Sequence, residues 1–202
     1  MIAALKTIVS ALLAGLLGLD AVQAGQFLLS RPAFVGPLLG WLGGCPLEGA
    51  RMGILLEMLY IDVIPVGGVV PPNGTAAAAV AVMAHASGLP PSLAFFAGAA
   101  AGALYSPVEA RLRSARSPWN SLLQAQVAAG DLNIGRWLAR AMLAENLTLA
   151  AYAALFAFAA SLLAGVPRLV PGADFAYSLM PWLGLSGLYF RFRTQVRKKA
   201  GA

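Results

Sequence analysis

Long apolar runs, separated by short segments rich in proline, glycine and charge, make up most of this chain. Runs of this kind predict α-helices, and a helix needs about 20 mostly apolar residues to cross a bilayer. Some of the runs are close to that length and others are clearly shorter. The longer predicted helices cover residues 2–19, 52–70, 142–166 and 175–190, and the shorter segments cover 33–44, 75–86 and 92–106.

The shorter segments predict helices that do not cross the membrane in a simple way. The segment 33–44 contains Pro37, which we expect to break it, and its length favours a re-entrant or interfacial element. Segments 75–86 and 92–106 form either a non-crossing hairpin or two tilted helices. The first run, 2–19, has features of a signal peptide, but the rest of the chain is equally apolar, so we favour a retained helix.

The composition excludes an ordinary soluble domain. Hydrophobic residues make up 59% of the 202 positions and charged residues only 11%, against roughly 25% charged residues in soluble chains. The 22 glycines and 13 prolines indicate helices that pack closely and are interrupted. We therefore predict an all-α integral membrane protein with a single membrane domain over 1–202. It is expected to be a multi-helix bundle with broken or re-entrant helices around a site at the membrane midplane.

Much of the basic charge lies in two clusters, one at Arg111, Arg113 and Arg116 and one in the tail 191–202. Lys and Arg are retained on the cytoplasmic side of a membrane. We expect both clusters and the C-terminus in the cytoplasm, with two spans between them. Although the net charge is +6, this clustering argues against a nucleic-acid partner.

The polar segment 107–140 predicts a helix lying at the membrane surface. Within it, Glu109 precedes Arg113 by four residues, which favours an ion pair on one helical face. Cys45 and His85 are each the single residue of their kind. An internal disulfide and a cysteine-based metal site are therefore excluded, and we expect neither a metal nor a cofactor.

Glu57 is the strongest candidate for function because it lies inside an apolar helix. A charge in hydrocarbon costs at least about 2.5–3.5 kcal/mol, so an acid there marks a functional site by default. Its carboxylate suits hydrogen bonds from the hydroxyls of a sugar or from another polar solute. The alternative is a structural ion pair with Arg31 or Arg51, and we favour the binding role.

Two further polar features lie near Glu57 in the sequence. The stretch 65–74 contains three prolines and three glycines, which cannot continue a helix. Irregular backbone at membrane depth is tolerated where it lines a wet cavity, and transporters bind solutes at such breaks. Gln26 offers both a donor and an acceptor to a sugar, and Arg31 can neutralise an intramembrane acid.

Taken in order, these residues resemble the membrane IIC subunit of the mannose/fructose/sorbose family of the bacterial phosphoenolpyruvate-dependent sugar phosphotransferase system. By motif position the resemblance implies that Glu57 is the sugar-binding acid and that Asn73 stands where many relatives have Asp. It also implies that Gln26 and Asp20 contribute from the first loop. The matching motifs are Leu19-Asp20, Gln26, Ser30-Arg31-Pro32, Leu56-Glu57-Met58-Leu59, Pro65-Val66-Gly67 and Pro71-Pro72-Asn73.

The resemblance implies a sugar-translocating permease subunit that is not an enzyme on its own. It implies a IID membrane subunit as partner, a cytoplasmic IIB subunit that phosphorylates the hexose, and a IIA subunit that phosphorylates IIB on histidine. It also implies an elevator-like motion, and we expect an oligomer of this multi-pass protein in the bacterial cytoplasmic membrane.

Other functions remain open from the residues alone. The first is the substrate-binding membrane subunit of an ATP-driven importer of a small metabolite. The second is an intramembrane enzyme that uses Glu57 and Asp62 as acid and base, although about 140° of helical rotation separates them. The third is a structural scaffold, which leaves Glu57 unexplained.

Overall fold

The computed structural model describes residues 2–21, 23, 25–61, 70–131 and 133–200, with side chains from Ala4 to Tyr189 within those ranges. Helices and short turns make up the described chain and no strand occurs in it, which confirms the all-α fold. The helices are α1 (Ile2–Leu19), α2 (Pro32–Gly43), α3 (Pro46–Tyr60), α4 (Gly74–Ala86), α5 (Pro91–Ala115), α6 (Trp119–Ala128), α7 (Ile134–Ser161) and α8 (Val170–Ala200), with two 3-10 turns, Leu162–Gly165 and Pro167–Leu169, before α8.

Helix α1 has the bounds that its apolar run predicts, and it packs against α7. Gly15 allows this contact, because a Cβ at that position would collide with the main-chain carbonyl of Asn146. The buried side chain of Asn146 donates from Nδ2 to the carbonyl oxygen of Leu12, at 3.4 Å. A buried amide therefore finds a hydrogen-bond acceptor within the α1–α7 contact.

Two predicted boundaries in the α2–α3 hairpin are wrong. Helix α2 continues through Pro37, where the sequence predicted a break. Proline removes one backbone donor, but neighbouring helices stabilise such a helix in a membrane bundle. Helix α3 begins at Pro46 rather than at residue 52, because proline is well suited to the first helical position, and it ends at Tyr60. The later part of the predicted run, residues 62–69, lies outside the described residues.

Glycines allow the backbones of α2 and α3 to approach each other closely. A Cβ on Gly36 would collide with the carbonyl oxygen of Gly49, and a Cβ on Gly49 with the carbonyl oxygen of Gly36. Similarly, a Cβ on Gly53 would collide with the carbonyl oxygen of Pro32. Small residues four apart on each helix are typical of tight helix pairs in membranes. The N-terminus of α2 is thereby fixed beside the C-terminal half of α3.

Helix α4 is the centre of the bundle. Its residues 75–84 are all buried, and the helix contacts α1, α2, α3, α5 and α7. A helix that is apolar on every side is stable only where other helices cover it. Gly98 and Gly102 of α5 face α4, since a Cβ on either would lie within 2.7 Å of the nearest α4 atoms. The glycines spaced four apart in α5 therefore allow close packing against α4.

Helix α5 is longer than predicted, because it continues through Pro107 to Ala115. Arg116, directly after it, donates from Nη2 to Glu145 Oε2 of α7 at 2.7 Å. Helix α7 begins at Ile134 rather than at residue 142, with Asn133 as a side-chain cap that accepts from the Arg136 N–H. Polar contacts at the ends of α5 and α7 therefore extend both helices beyond their apolar runs.

Two helical stretches within the described residues are long and apolar enough to cross a membrane, Pro91–Ala128 and Ile134–Gly165. The polar segment 107–140 is divided among the end of α5, all of α6 and the start of α7. In it, the guanidinium of Arg140 lies 4.9 Å and 5.6 Å from the ring centres of Trp119 and Trp137. The position of this segment at a membrane surface stays a prediction.

The glycine contact between α2 and α3 predicts that an alanine substitution there is destabilising, whereas one at an uncrowded glycine is not. Gly49→Ala should lower the free energy of unfolding by about 1–3 kcal/mol, because its Cβ would meet backbone that cannot move aside. Gly172→Ala in α8 has open space around the new methyl group and should leave stability unchanged or slightly higher. Thermal unfolding of both variants in detergent checks this, and equal midpoints would contradict the packing described.

Candidate functional site

A cavity of about 640 Å³ lies where α1, α2, α3, α4 and α5 meet, at the N-terminal end of α4. Small-molecule sites commonly occupy about 300–1,000 Å³, so the cavity has the size of a ligand site. Every residue predicted from the sequence to bind substrate lines it. These residues are Asp20, Gln26, Arg31, Glu57 and Asn73.

Glu57 combines an ion pair with an unoccupied carboxylate oxygen. Its Oε1 lies 3.2 Å from Nη1 of Arg31. Its Oε2 is buried and has no hydrogen-bond partner among the residues that the structure describes. The Glu57 side chain is 24% exposed, whereas that of Arg31 is 54% exposed. The ion pair with Arg31 considered from the sequence therefore forms, and the sugar-binding role of Glu57 stays a prediction.

Arg51, the other arginine considered as a partner of Glu57, is used elsewhere. Its guanidinium lies 5.1 Å from the ring centre of Tyr177, at the contact between α3 and α8. This is the geometry of a cation–π interaction. The pair with Arg31 is the one that forms because the α2–α3 hairpin brings the start of α2 to the end of α3.

Asp20 organises the loop between α1 and α2. Its Oδ1 accepts the N–H of Phe27 at 2.7 Å and its Oδ2 accepts the N–H of Ser30 at 3.3 Å. The loop includes Gln26 and Leu28 with φ of 57° and 69°, a region that costs non-glycine residues energy. Thr75 Oγ1 donates to the carbonyl oxygen of Ser30 at 2.6 Å and joins the loop to α4. Asp20 thus holds the loop in the conformation that lines the cavity.

Asn73 is the N-cap of α4 and also faces the cavity. Its Oδ1 accepts the Ala76 N–H at 2.9 Å, and its own backbone N–H donates to the carbonyl oxygen of Gly102 at 2.9 Å. Its Nδ2 lies 3.5 Å from Glu109 Oε2, a long hydrogen bond. An asparagine supplies both the acceptor that a helix start needs and a donor toward a carboxylate.

The sequence reasoning missed Glu109 and Arg113 as part of this cavity. Their predicted ion pair is confirmed, with Glu109 Oε1 2.5 Å from Arg113 Nη2, and both residues line the cavity. Gly102, Ser106, Glu109 and Arg113 fall on one helical face at spacings of four, three and four. That signal was present in the sequence, but it required α5 to continue through Pro107.

Part of the predicted helix break can be located. Pro71, Pro72 and Gly74 line the cavity, as expected for irregular backbone at a binding site. Ser106 Oγ donates to the carbonyl oxygen of Pro71 at 3.0 Å and attaches this segment to α5. Asp62 and the segment from Pro65 to residue 69 lie outside the described residues, so their predicted roles stay predictions.

Comparison with known families decides the identity of the chain. A sequence model of the sorbose-specific IIC component of the phosphotransferase system (PTS) matches residues 4–180. This chain is a member of that family. The resemblance predicted from the sequence is thereby confirmed, and the IIC component is the membrane transport component of a multi-subunit sugar PTS. Membership favours the permease over the ATP-driven importer and the intramembrane enzyme.

Two solved structures share the fold of this IIC component. One, described as a membrane protein, superimposes with a TM-score of 0.72 and 17% sequence identity. The match covers 95% of this chain and 80% of the chain in that structure. The cryo-EM structure of the mannose transporter ManYZ with microcin E492 superimposes with a TM-score of 0.63 and 18% identity, covering 95% and 79%. A search of curated protein sequences gives no significant match.

The hydrogen bonds of Asp20 predict a local effect on the first loop. In Asp20→Ala the amides of Phe27 and Ser30 should exchange with solvent at least about tenfold faster, because a hydrogen bond to a charged group contributes about 1.5–3 kcal/mol. Asp174→Ala, which removes an exposed carboxylate on α8, is the control. Hydrogen exchange measured by mass spectrometry over residues 25–30 checks this, and unchanged exchange in Asp20→Ala would refute the anchoring role.

Proposed function

We propose that this chain is the sugar-translocating IIC subunit of a PTS in the bacterial cytoplasmic membrane. It binds a hexose in the cavity at the N-terminal end of α4 and presents it to a cytoplasmic IIB subunit for phosphorylation. A IID membrane subunit completes the permease, which works as an oligomer, and IIA supplies the phosphoryl group to IIB. Family membership supports this assignment, and the chemistry of the cavity supports the substrate class.

One observation carries the proposal: Glu57 lines the cavity, and its carboxylate oxygen Oε2 is buried without a partner among the described residues. Leaving such a group unsatisfied costs about 1–3 kcal/mol, and more for a charged group. A sugar hydroxyl can donate to it once the carboxylate turns toward the cavity. Binding of a hexose therefore removes a penalty that the empty site carries, which favours a polyhydroxylated ligand.

The other proposed ligands supply complementary hydrogen bonds. Arg31 offers donors at the exposed side of Glu57, and Gln26 offers a donor and an acceptor from the loop. Asp20 and Asn73 already bond to the protein, Asp20 through backbone amides of the first loop and Asn73 as the N-cap of α4. A hexose presents donors and acceptors around its ring, and this mixed lining suits that pattern.

Orientation follows from the basic clusters. Arg111, Arg113 and Arg116 at the end of α5 and the tail 191–202 are placed in the cytoplasm, with α7 and α8 as the two spans between them. Because Arg113 also lines the cavity, the cavity lies at the cytoplasmic end of the bundle in this conformation. An elevator-like movement, as the family resemblance implies, would carry it to the other side.

Removal of the charge of Glu57 tests this proposal. In cells that express the chain with its partner subunits, Glu57→Gln should reduce uptake of labelled sorbose and mannose at least about tenfold, since a hydrogen bond to a charged group is replaced by a weaker one. The purified assembly should bind the transported sugar in calorimetry, and the variant should bind it more weakly.

Glu48→Gln is the matched control for that experiment. Glu48 is a half-buried acid at the start of the same helix and, like Glu57, has a buried carboxylate oxygen without a partner among the described residues. Because it lies outside the cavity, its neutralisation should leave uptake within about twofold. Equal uptake by wild type and Glu57→Gln, or absence of sugar binding by the wild-type assembly, would count against the proposed function.

A further inference from the structure

Two acid–base pairs line the cavity with the same orientation. In each pair the carboxylate is the more buried partner and the guanidinium the more exposed one. Glu57 and Arg31 are 24% and 54% exposed, and Glu109 and Arg113 are 15% and 57% exposed. The acids therefore face the interior of the cavity, and the arginines lie toward its open side.

Both arginines retain unused hydrogen-bonding capacity. The Arg31 ion pair involves Nη1 and the Arg113 ion pair involves Nη2. A guanidinium carries several N–H donors in a planar fork, so a single contact leaves most of them free for an anion. Phosphoryl oxygens match this fork geometry better than any other common biological anion except a carboxylate.

The starts of two helices add positive potential at the same place. Pro32 and Arg31 begin α2, and Asn73 and Gly74 begin α4, and all four residues line the cavity. The N-terminus of a helix carries about half a unit of positive charge. These helix starts offset part of the negative charge of the three carboxylates in the lining, Asp20, Glu57 and Glu109, so the two guanidinium groups are the main attraction for a phosphoryl group.

We propose that Arg113, with Arg31, binds the phosphoryl group as it passes from the phosphorylated imidazole of IIB to the hexose at the open side of this cavity. This inference rests on the proposed function and adds a second ligand to the same site. The sugar is held by the inner carboxylates, and the phosphoryl oxygens are held by the outer guanidinium groups.

In the transfer, one bond to phosphorus forms as another breaks. A hydroxyl oxygen of the hexose forms a bond to phosphorus, and the bond between phosphorus and the imidazole nitrogen breaks, leaving its electron pair on the nitrogen. The hydroxyl proton passes to the imidazole nitrogen that receives this electron pair. Of the reacting groups, Arg113 contacts only the phosphoryl oxygens, where it offsets the charge that is spread over them in the transition state.

The test separates sugar binding from phosphoryl transfer. The assembled IIC complex is placed in phosphatidylcholine vesicles, and the rate of sugar phosphorylation by purified phosphorylated IIB is measured beside the dissociation constant of the sugar. Arg113→Gln should lower the phosphorylation rate about 100-fold, the usual effect of removing one charge-stabilising donor, and change the sugar dissociation constant less than about threefold. Arg113→Lys should be intermediate, because it keeps the charge and loses the fork.

Arg111→Gln is the matched control, since Arg111 is an exposed member of the same basic cluster that does not line the cavity. It should phosphorylate sugar at the wild-type rate. Inorganic phosphate should slow the wild-type reaction in competition with phosphorylated IIB and should lose this effect in Arg113→Gln.

Three results would overturn the inference while leaving the sugar site intact. They are an equal loss of rate in Arg111→Gln, a wild-type rate in Arg113→Gln, and a dependence on Arg113 that appears only in vesicles of anionic lipid. The last result would assign Arg113 to a lipid headgroup. Weakening of sugar binding in Arg113→Gln by as much as the rate falls would also overturn it. Absence of sugar binding by the wild type would instead reject the proposed function itself.

Discussion

The close approach of α2 and α3 is the constraint on which the site depends. At this crossing a Cβ on Gly36 would collide with the carbonyl oxygen of Gly49, and a Cβ on Gly49 with the carbonyl oxygen of Gly36. Because the two helices form an antiparallel hairpin, the first residues of α2 then lie beside the last turn of α3. Arg31 and Glu57 meet as a consequence of this backbone geometry, and the pair makes it less costly to place an acid inside an apolar bundle.

Helix α4 packs against this hairpin, and the cavity lies at its N-terminal end. The helix is buried on every side, so its N-terminus can end only among other helices, and Asn73 satisfies that end while facing Glu109. The Asp20 loop covers the same end and is joined to α4 through Thr75. Polar groups that would be costly to bury elsewhere in the bundle are thus collected at one place, where one oxygen of Glu57 has no partner among the described residues.

The polar residues that line the cavity were more predictable from the sequence than the ends of the helices that enclose it. Glu57, Gln26 and Arg31 stand out as polar residues in apolar sequence, because burying such groups is costly. Asp20 and Asn73 were implied by the family resemblance, and all five line one cavity. Helix ends were less predictable, because Pro37 and Pro107 are tolerated where neighbouring helices compensate for the lost hydrogen bond. The premature end assigned at Pro107 concealed the face of α5 that carries Glu109 and Arg113.

The most direct test of this account is a cryo-EM structure of the assembled IIC complex with sorbose or mannose bound. The account predicts sugar density in the cavity at the N-terminal end of α4, with a hydroxyl about 2.5–3.0 Å from Oε2 of Glu57. A sugar bound out of reach of Glu57 would contradict it. So would a sugar in a second cavity of about 650 Å³, beside Lys6 and Ser10 at the C-terminal end of α4.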